Sequence, residues 1–266
     1  MKKFSDQIVE LQKLGYKLAP AQAKVAHDTV LLAMDKCGFK QSSTIKGGVV
    51  MSHITNDIRR TTMDMDIAFI KHSISDTSIK RFVRKLNCLP NVRINIFGTI
   101  GELLHEDYTG KRLYLDVTDG SIKAPIRMKL DIGVHAHNIR QRNLVFKLAD
   151  ADEKARLLAN TDEQIFAEKL LSLLRHRALS RRPKDVFDMC YLCGRVNKGK
   201  LRSCLTALVY NNKKIMPKNK DEVVAVLQSV FSSKPYMMRL GAARANWLEI
   251  KPEEATSGII NFLASL

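Results

Sequence analysis

The sequence predicts an α+β protein, in which a mixed β-sheet has helices on one face and is followed by an all-helical domain. Two changes of hydrophobic period predict this class. Between about residues 64 and 134, apolar residues recur at every second position, as in strands with one buried face. Before and after this region they recur at every third or fourth position, which is typical of amphipathic helices.

The first elements are helical. Residues 4–39 are predicted to form two helices, the second beginning near Pro20 and ending near Gly38. A short strand over residues 44–46 then leads into a helix that begins at a Gly-Gly pair. The remaining strands are predicted at residues 64–70, 92–96, 112–117 and 126–134, with a basic helix at 74–87.

The strand pattern stops near residue 152. Thr161-Asp162-Glu163-Gln164 has the pattern of a capping box and opens a helix to about Ala178. Pro183 suits the first turn of another helix, which Gly194 ends. Weaker helical patterns cover residues 200–210, 220–231, 236–246 and 252–264. We therefore expect two domains, at residues 1–155 and 156–266.

Charge and composition limit the kinds of partner and the cellular compartment that the sequence favours. The 266 residues carry 44 Lys and Arg against 27 Asp and Glu, a formal charge of +17. This favours nucleic acid or a nucleotide as partner, with an acidic protein or a merely solvated basic surface as alternatives. No apolar run is long enough for a membrane span, and the start has no signal-type segment. Five irregularly spaced cysteines indicate reduced thiols, so we expect a cytoplasmic protein without membrane contact.

Three carboxylates suggest a metal site. Asp64 and Asp66 lie on one side of a predicted strand, and Asp131 lies on the polar side of another. If these strands are neighbours, the carboxylates repel one another unless cations neutralise them. Two Mg²⁺ ions about 3.5–4 Å apart would do so and would activate a hydroxyl for in-line displacement. The alternative is a polar sheet face with ordinary solvated aspartates.

A phosphate site is suggested by Gly47 and Gly48. They follow Lys46 at the end of a possible strand and precede a predicted helix. Glycines at a helix N-terminus leave the backbone N–H groups accessible to phosphate. A plain tight turn is the commoner meaning of such a pair.

Lys169 lies inside the helix that the capping box opens, among Ile165, Phe166 and Leu173. A lysine on a largely apolar face either extends its ammonium group to solvent or meets an anion such as a triphosphate. Both alternatives stay open.

Downstream, the stretch from Arg175 to Arg202 holds nine Lys or Arg residues and only two Asp residues. Such a run is usually a solvated face, but a nucleic acid backbone is the functional alternative. The candidate RNA-binding residues are Arg175, Arg177, Arg181, Arg182 and Lys184.

Two weaker metal motifs are present. Cys190 and Cys193 form a CxxC pair in an apolar helical stretch, where buried packing is the favoured interpretation. His135 and His137 place two imidazoles on the Asp131 side of one strand, without a clear further ligand.

Together, these motifs resemble the AbiEii/AbiGii-type toxin family of minimal nucleotidyltransferases, within the polymerase-beta-like superfamily. The resembling segments are Ile45-Lys46-Gly47-Gly48, Arg60-x-Thr62-x-Asp64-x-Asp66, Lys129-Leu130-Asp131-Ile132, Glu168-Lys169-Leu170-Leu171 and Lys184-Asp185-Val186-Phe187-Asp188-Met189. They span about residues 45–190. The resemblance implies a nucleotidyltransferase-type sheet in the first domain and a helical second domain that contributes to the active site.

The resemblance also implies roles for individual residues. The catalytic set would be Asp64, Asp66, Asp131, Lys169, Asp185 and Asp188, the first three as metal ligands. The nucleotide would contact Lys46, Gly47, Gly48, Ser52, Arg60, Thr62 and Lys169. One departure is Val49, since the family often has Ser or Thr after the double glycine; Ser52 or Ser43 would have to supply the missing hydroxyl.

The implied function is that of a Mg²⁺-dependent toxin paired with an antitoxin, in a toxin–antitoxin or phage-defence system. Its substrate would be an NTP, and its acceptor an RNA, most plausibly tRNA. Two alternatives stay open: transfer to a protein hydroxyl, and a non-catalytic protein that binds nucleic acid or antitoxin.

Overall fold

The computed structural model describes residues 1–104, 109–135, 139–242 and 245–266. The chain divides into two compact units. The first comprises Met1–Ala136 and Gln141–Asn160, and the second comprises His137–Arg140 and Thr161–Leu266.

The first unit is built on a seven-stranded mixed sheet, with strand order β3-β4-β5-β2-β1-β7-β6. The strands are β1 (Ser43–Lys46), β2 (Asp64–Phe69), β3 (Arg93–Leu104), β4 (Thr109–Thr118), β5 (Ile126–Val134), β6 (Arg142–Lys147) and β7 (Lys154–Ala159). The pairs β2–β5 and β1–β7 are parallel and the others are antiparallel. Alternation along β5 buries Met128, Leu130 and Ile132 and leaves the other side of the strand accessible.

Four helices belong to this unit: α1 (Phe4–Lys13), α2 (Leu18–Lys36), α3 (Gly47–Thr55) and α4 (Asp76–Leu86). Helix α2 packs against β5 and β7, and α4 packs against β3. The apolar side of α4 is fully inward, as predicted, because Ile79, Phe82 and Leu86 are buried. The predicted α+β class is confirmed.

Two buried aspartates fasten α2 to the main chain of distant segments. Asp28 accepts a hydrogen bond from the backbone N–H of Ala149 at 2.6 Å, and Asp35 accepts one from Arg156 at 3.1 Å. Buried carboxylates need such partners, because a charge without one is costly in the interior. Helix α2 is thereby held to β7 and to the segment that precedes it.

The second unit is helical in its described part. Its α-helices are α5 (Asp162–His176), α6 (Pro183–Cys193), α7 (Lys198–Leu205), α8 (Lys220–Phe231), α9 (Lys234–Gly241) and α10 (Pro252–Ala264). A 3₁₀ turn at Arg177–Leu179 and a π-helical turn at Thr206–Tyr210 follow α5 and α7. The predicted cap of α5 is present, since the Thr161 side chain accepts a hydrogen bond from the Gln164 N–H at 3.2 Å.

The main error of the sequence-based prediction concerns β6 and β7. The sequence predicts that strands stop near residue 152, but β7 spans Lys154–Ala159 and pairs with both β1 and β6. Strands β3 and β4 also extend beyond the alternating segments, residues 92–96 and 112–117, from which the sequence predicts them. The segment Lys154–Ala159 is rich in residues with high helix propensity, and strand pairing overrides that preference here.

Candidate functional site

The three predicted carboxylates lie on one side of two adjacent strands. Asp64 and Asp66 are on β2, with Met65 between them fully buried on the opposite side. Strand β5 pairs in parallel with β2, and this register places Asp131 directly beside Asp66. The sequence left open whether these strands are neighbours, and in the sheet they are.

Two cations already neutralise part of this charge. The Lys129 ammonium lies 2.6 Å from Asp64 Oδ2. The Arg112 guanidinium donates from Nε and Nη2 to the two Asp131 oxygens, both at 2.8 Å. These hydrogen bonds raise the pKa of Arg112, which stays charged. Repulsion among the carboxylates is thus offset by residues of the same sheet.

A three-carboxylate metal site is not assembled in this arrangement. In the described ranges, no group of three or more His, Cys, Asp or Glu residues is placed to hold a metal ion. Asp131 has both oxygens engaged by Arg112, whereas Asp64 is half exposed beside Asp66. The residues therefore fit a divalent ion at the Asp64–Asp66 pair, and Asp131 would join it only after Arg112 moves.

The first glycine of the pair lies against one of these carboxylates, that of Asp66. Strand β1 ends at Lys46, which pairs directly with Asp66. Gly47 follows with a φ of +54°, and a Cβ there would lie 3.0 Å from Asp66 Oδ2. A side chain would be both strained and crowded at this position.

Gly48 is required for a different reason. A Cβ at this position would lie 2.5 Å from the Thr62 hydroxyl oxygen, which is closer than such atoms approach. The pair begins α3, and the side chain of the N-cap residue Lys46 makes no capping hydrogen bond. The first N–H groups of an α-helix have no acceptor within the helix, and here they begin beside the Asp66 carboxylate.

The departure at Val49 has a structural explanation. Val49 is buried and contributes to the core rather than to a phosphate contact. Ser43 does not compensate, because it is buried and donates to the Phe39 carbonyl at 2.9 Å. The hydroxyl nearest the glycines is that of Thr62, whose Oγ1 donates to the Asp64 carbonyl at 3.2 Å. Ser52 lies half-buried on α3.

Arg60 supports the loop before β2. It is 3% exposed, and its Nη1 donates to the Thr61 carbonyl at 3.2 Å. A guanidinium this deeply buried positions the backbone that leads to Asp64. The role of Arg60 in nucleotide binding stays a prediction.

In the second unit, Lys169 lies between two aspartates. Its ammonium group contacts Asp185 Oδ1 at 2.5 Å and Asp188 Oδ2 at 2.9 Å. Asp188 is fully buried, and its other oxygen accepts a hydrogen bond from Trp247 Nε1 at 3.0 Å. The lysine, itself buried, thus links α5 to α6. Its contact with triphosphate stays a prediction.

The basic stretch is only partly available to a ligand. Arg177, Arg181 and Arg182 are exposed, whereas Arg175 and Lys184 are half-buried. Further along, Lys198 donates to Ser265 at 2.9 Å, and Arg202 donates to the Leu266 carbonyl at 3.0 Å. Among the five candidate residues, the exposed guanidiniums therefore lie between α5 and α6.

The two weaker metal motifs find no support. Cys190 and Cys193 are free thiols, and burial raises the pKa of Cys193 to about 12. A thiol so reluctant to ionise is a poor metal ligand. The partner of His135 in the second motif, His137, lies outside the described residues.

Sequence reasoning missed two kinds of residue in the first unit. One is the pair of counter-ions, Lys129 and Arg112, and the other is a set of exposed aromatic rings on β3 and β4. Alternation places Lys129 and Arg112 on the polar side of their strands, but only the pairing register shows which carboxylate each one meets. Separately, no helix in the described ranges is both long and apolar enough to cross a bilayer.

Comparison with known proteins agrees with this geometry. The model of a family described as "Nucleotidyl transferase AbiEii toxin, Type IV TA system" matches residues 29–253, more than half of the chain. No curated protein sequence matches the chain significantly.

Two solved structures show a similar fold. A candidate nucleotidyltransferase from H. pylori is 15% identical, with a TM-score of 0.54, over 91% of this chain and 93% of that one. JHP933 from Helicobacter pylori has the same identity and TM-score, over 91% and 90% of the two chains. At this identity the likeness concerns the fold alone.

Proposed function

Because this chain belongs to the AbiEii family of nucleotidyltransferase toxins of type IV toxin–antitoxin systems, we propose that it transfers a nucleotide from an NTP to the 3′ end of an RNA, with tRNA as acceptor. The protein is a nucleotidyltransferase by family. The observation that supports the chemistry is the close approach of Gly47 to the Asp66 carboxylate. A phosphate held at Gly47 and Gly48 would lie beside the carboxylate pair.

The proposed roles follow from this juxtaposition. The N–H groups at the start of α3 bind the NTP phosphates, because they have no acceptor within the helix and carry the positive end of the helix dipole. Asp64 and Asp66 would hold Mg²⁺, since hard carboxylate oxygens are the ligands that this ion prefers. When bound, Mg²⁺ neutralises phosphate charge and lowers the pKa of a coordinated hydroxyl.

The transfer itself is an in-line displacement. The 3′-hydroxyl oxygen of the RNA attacks the α-phosphorus of the NTP and gives up its proton to solvent, while the bond from the α-phosphorus to the bridging oxygen breaks and pyrophosphate leaves with that oxygen. Asp64 and Asp66 orient the reacting groups, and the α3 N–H groups stabilise charge on the departing phosphates. A second Mg²⁺ ion would require Asp131, and hence release of its bonds to Arg112.

The acceptor is proposed to be RNA on grounds of charge. The chain has a net charge of +17, and the exposed Arg177, Arg181 and Arg182 offer contacts to a phosphate backbone. A cognate antitoxin is proposed from the family, and the cytoplasm is proposed as the site of action because tRNA and NTPs are found there. The five free cysteines are compatible with that reducing compartment.

The test is to incubate the protein with labelled NTPs, Mg²⁺, total RNA and cell protein, and to ask which macromolecule becomes labelled. Labelled RNA of tRNA size is the expected result. Label on protein would show that the acceptor is a protein and not RNA. Absence of label on either would favour a non-catalytic binding protein.

Asp66→Asn provides the matched control for this assay. The change is nearly isosteric but removes a charge that a divalent ion needs. We expect transfer to be abolished while the melting temperature stays within a few degrees of the wild type. Asp64→Asn should behave in the same way, and full activity in either variant would contradict the metal assignment.

A further inference from the structure

The accessible side of β3 and β4 carries two exposed aromatic rings. Phe97 is 46% exposed and Tyr114 is 41% exposed. The two residues are direct cross-strand partners, so their rings are neighbours on the same side of the sheet. Leu113 and Leu115, which flank Tyr114, are fully buried on the other side. The rings therefore lie on the side of the sheet that carries the carboxylates.

A guanidinium extends this aromatic surface. The Arg127 guanidinium carbon lies 3.2 Å from the centre of the Phe97 ring. Asp116 holds Arg127 in place, accepting from its Nε at 2.9 Å and from its Nη2 at 3.1 Å. A planar cation stacked on an exposed ring is a surface on which nucleobases stack.

The rings form a row with the candidate catalytic carboxylate. Phe97 pairs with Tyr114, Tyr114 pairs with Lys129, and Lys129 pairs with Asp64, on the successive strands β3, β4, β5 and β2. With strands about 4.8 Å apart, Tyr114 is about 10 Å from Asp64 along this row and Phe97 is about 14 Å away. The row is thus a straight path from the carboxylate to the edge of the sheet.

We propose that Phe97, Tyr114 and Arg127 form a stacking platform for the unpaired nucleotides at the 3′ end of the acceptor RNA. This inference rests on the proposed function. The platform would support the last bases of the strand while its terminal hydroxyl reaches the carboxylates. Paired bases cannot use it, because their faces are covered within the duplex.

Position favours the acceptor strand over the NTP base as occupant. The glycine pair, where the NTP phosphates are proposed to bind, follows β1, on the other side of β2 from the platform. An NTP also has a single base, whereas two neighbouring rings, one of them stacked with the Arg127 guanidinium, suit successive bases of a strand.

Charge on this part of the sheet is balanced by pairs. Arg127 is paired with Asp116, and Lys129 is paired with Asp64. Stacking, which does not depend on base sequence, therefore supplies the local contact, and the net charge of +17 supplies long-range attraction for RNA.

The platform is tested with a short RNA duplex that carries an unpaired 3′ extension, compared with the blunt duplex of the same sequence. Affinity is measured by fluorescence anisotropy without Mg²⁺ or NTP, so that no transfer occurs. The wild type should bind the extended duplex more tightly than the blunt one. In Phe97→Leu/Tyr114→Leu this preference should fall by at least about fivefold.

Two controls separate stacking from structure. Leucine keeps the apolar bulk of each ring but removes its π face, and Tyr114→Phe keeps the face and should retain the preference. Tyr114→Leu alone is measured beside the double variant, with melting temperature and NTP affinity recorded for all of them. If the rings only stabilise the sheet, the melting temperature will fall while the preference for the extension is unchanged, which would overturn the proposal.

The remaining outcomes separate the platform from the proposed function. Loss of NTP affinity with normal binding of the extension would assign the rings to the NTP base and overturn the platform. Normal RNA labelling by the double variant at limiting RNA would also overturn the platform, but it would leave the proposed function intact. Preference for the extension that depends on the rings, in a protein that labels no RNA, would count against the proposed function and not against the platform.

Discussion

At the scale of single residues, the candidate site depends on close contacts that admit few substitutes. Gly47 lies against the Asp66 carboxylate, and Gly48 lies against the Thr62 hydroxyl. Thr62 in turn bonds the backbone of Asp64 at 3.2 Å. The pattern of these residues could be predicted from the sequence, but the contacts could not, because they depend on how the loop before β2 meets the start of α3.

Gly48→Ala should impair both folding and transfer. The added Cβ would lie 2.5 Å from Thr62 Oγ1 and 3.0 Å from Thr62 Cβ, so the loop before Asp64 must shift. We expect a destabilisation of about 1–3 kcal/mol, as for overpacking elsewhere, and a loss of transfer that exceeds it. Denaturant unfolding and the labelling assay measure the two effects.

Gly194→Ala is the matched control for that change. Gly194 has a φ of −81°, and a Cβ there would meet no atom within 4 Å. This variant should be neutral or slightly stabilising. Equal losses of stability and of transfer activity in the two variants would show that the crowding at Thr62 is unimportant.

His27 should make the stability of the protein depend on pH. It is 4% exposed on α2, and burial lowers its pKa to about 4, from an ordinary value of 6.5. The unfolded chain therefore binds more protons than the folded one between these two values. Stability is fully present above about pH 6.5 and is lost as pH falls towards 4.

From these values, His27 alone contributes a loss of about 2 kcal/mol between about pH 7 and about pH 5. Denaturant unfolding at both pH values measures the loss. His27→Leu should reduce it, and the exposed His72→Gln should not. An unchanged pH dependence in His27→Leu would contradict this assignment. His53, whose pKa burial also lowers to about 4, accounts for part of the remaining dependence.

At the scale of elements, regular hydrophobic patterns predicted the structure well where burial has one clear side. Helix α4, strand β5 and helix α6 have bounds within about two residues of those predicted, because each presents one apolar face to a core. Strand β6 lies at an edge of the sheet and has only Phe146 buried, so its pattern carries little signal. Strand β7 alternates, but its composition favours a helix.

The link between α5 and α6 gives a prediction at this scale. Lys169→Ala would remove the ammonium group that lies 2.9 Å from the fully buried Asp188. Breaking a buried ion pair from one side costs about 3–5 kcal/mol, because a charge is left uncompensated. A lysine that only extended its ammonium group to solvent would cost far less to truncate.

Denaturant unfolding measures the cost of Lys169→Ala. Lys169→Ala/Asp188→Asn is the matched variant. It should be more stable than Lys169→Ala, because it no longer carries the buried charge of Asp188. Near-native stability of the single variant would contradict the pairing. The implied triphosphate contact predicts, in addition, a higher KM for NTP at temperatures where the variant is folded.

At the scale of the whole molecule, the excess of positive charge predicts that the proposed RNA binding will be sensitive to salt. Neutralising Arg181 and Arg182 together should weaken RNA affinity and flatten the fall of log K with log salt. For each phosphate that these side chains no longer neutralise, the slope should change by about 0.7 on a single strand and by about 0.9 on a duplex. Binding titrations over a range of salt concentrations measure it.

Lys198 and Arg202 provide the control for this prediction. They carry the same charge but are bonded to Ser265 and Leu266, so their neutralisation should change the slope less. An unchanged slope in the Arg181/Arg182 variant would move the RNA-binding surface elsewhere, such as to α4 with its Lys80, Arg81, Arg84 and Lys85.

The pairing of β1 with β7 has a consequence for how the protein is made. Thr44 on β1 pairs with Leu158 on β7, although β1 leaves the ribosome more than a hundred residues earlier. Until β7 is synthesised, the strand that delivers Gly47 is an unprotected sheet edge, and contacts of such long range form slowly. The Gly47 turn, which is proposed to bind phosphate, therefore follows a strand that lacks one of its two sheet neighbours until translation has passed β7.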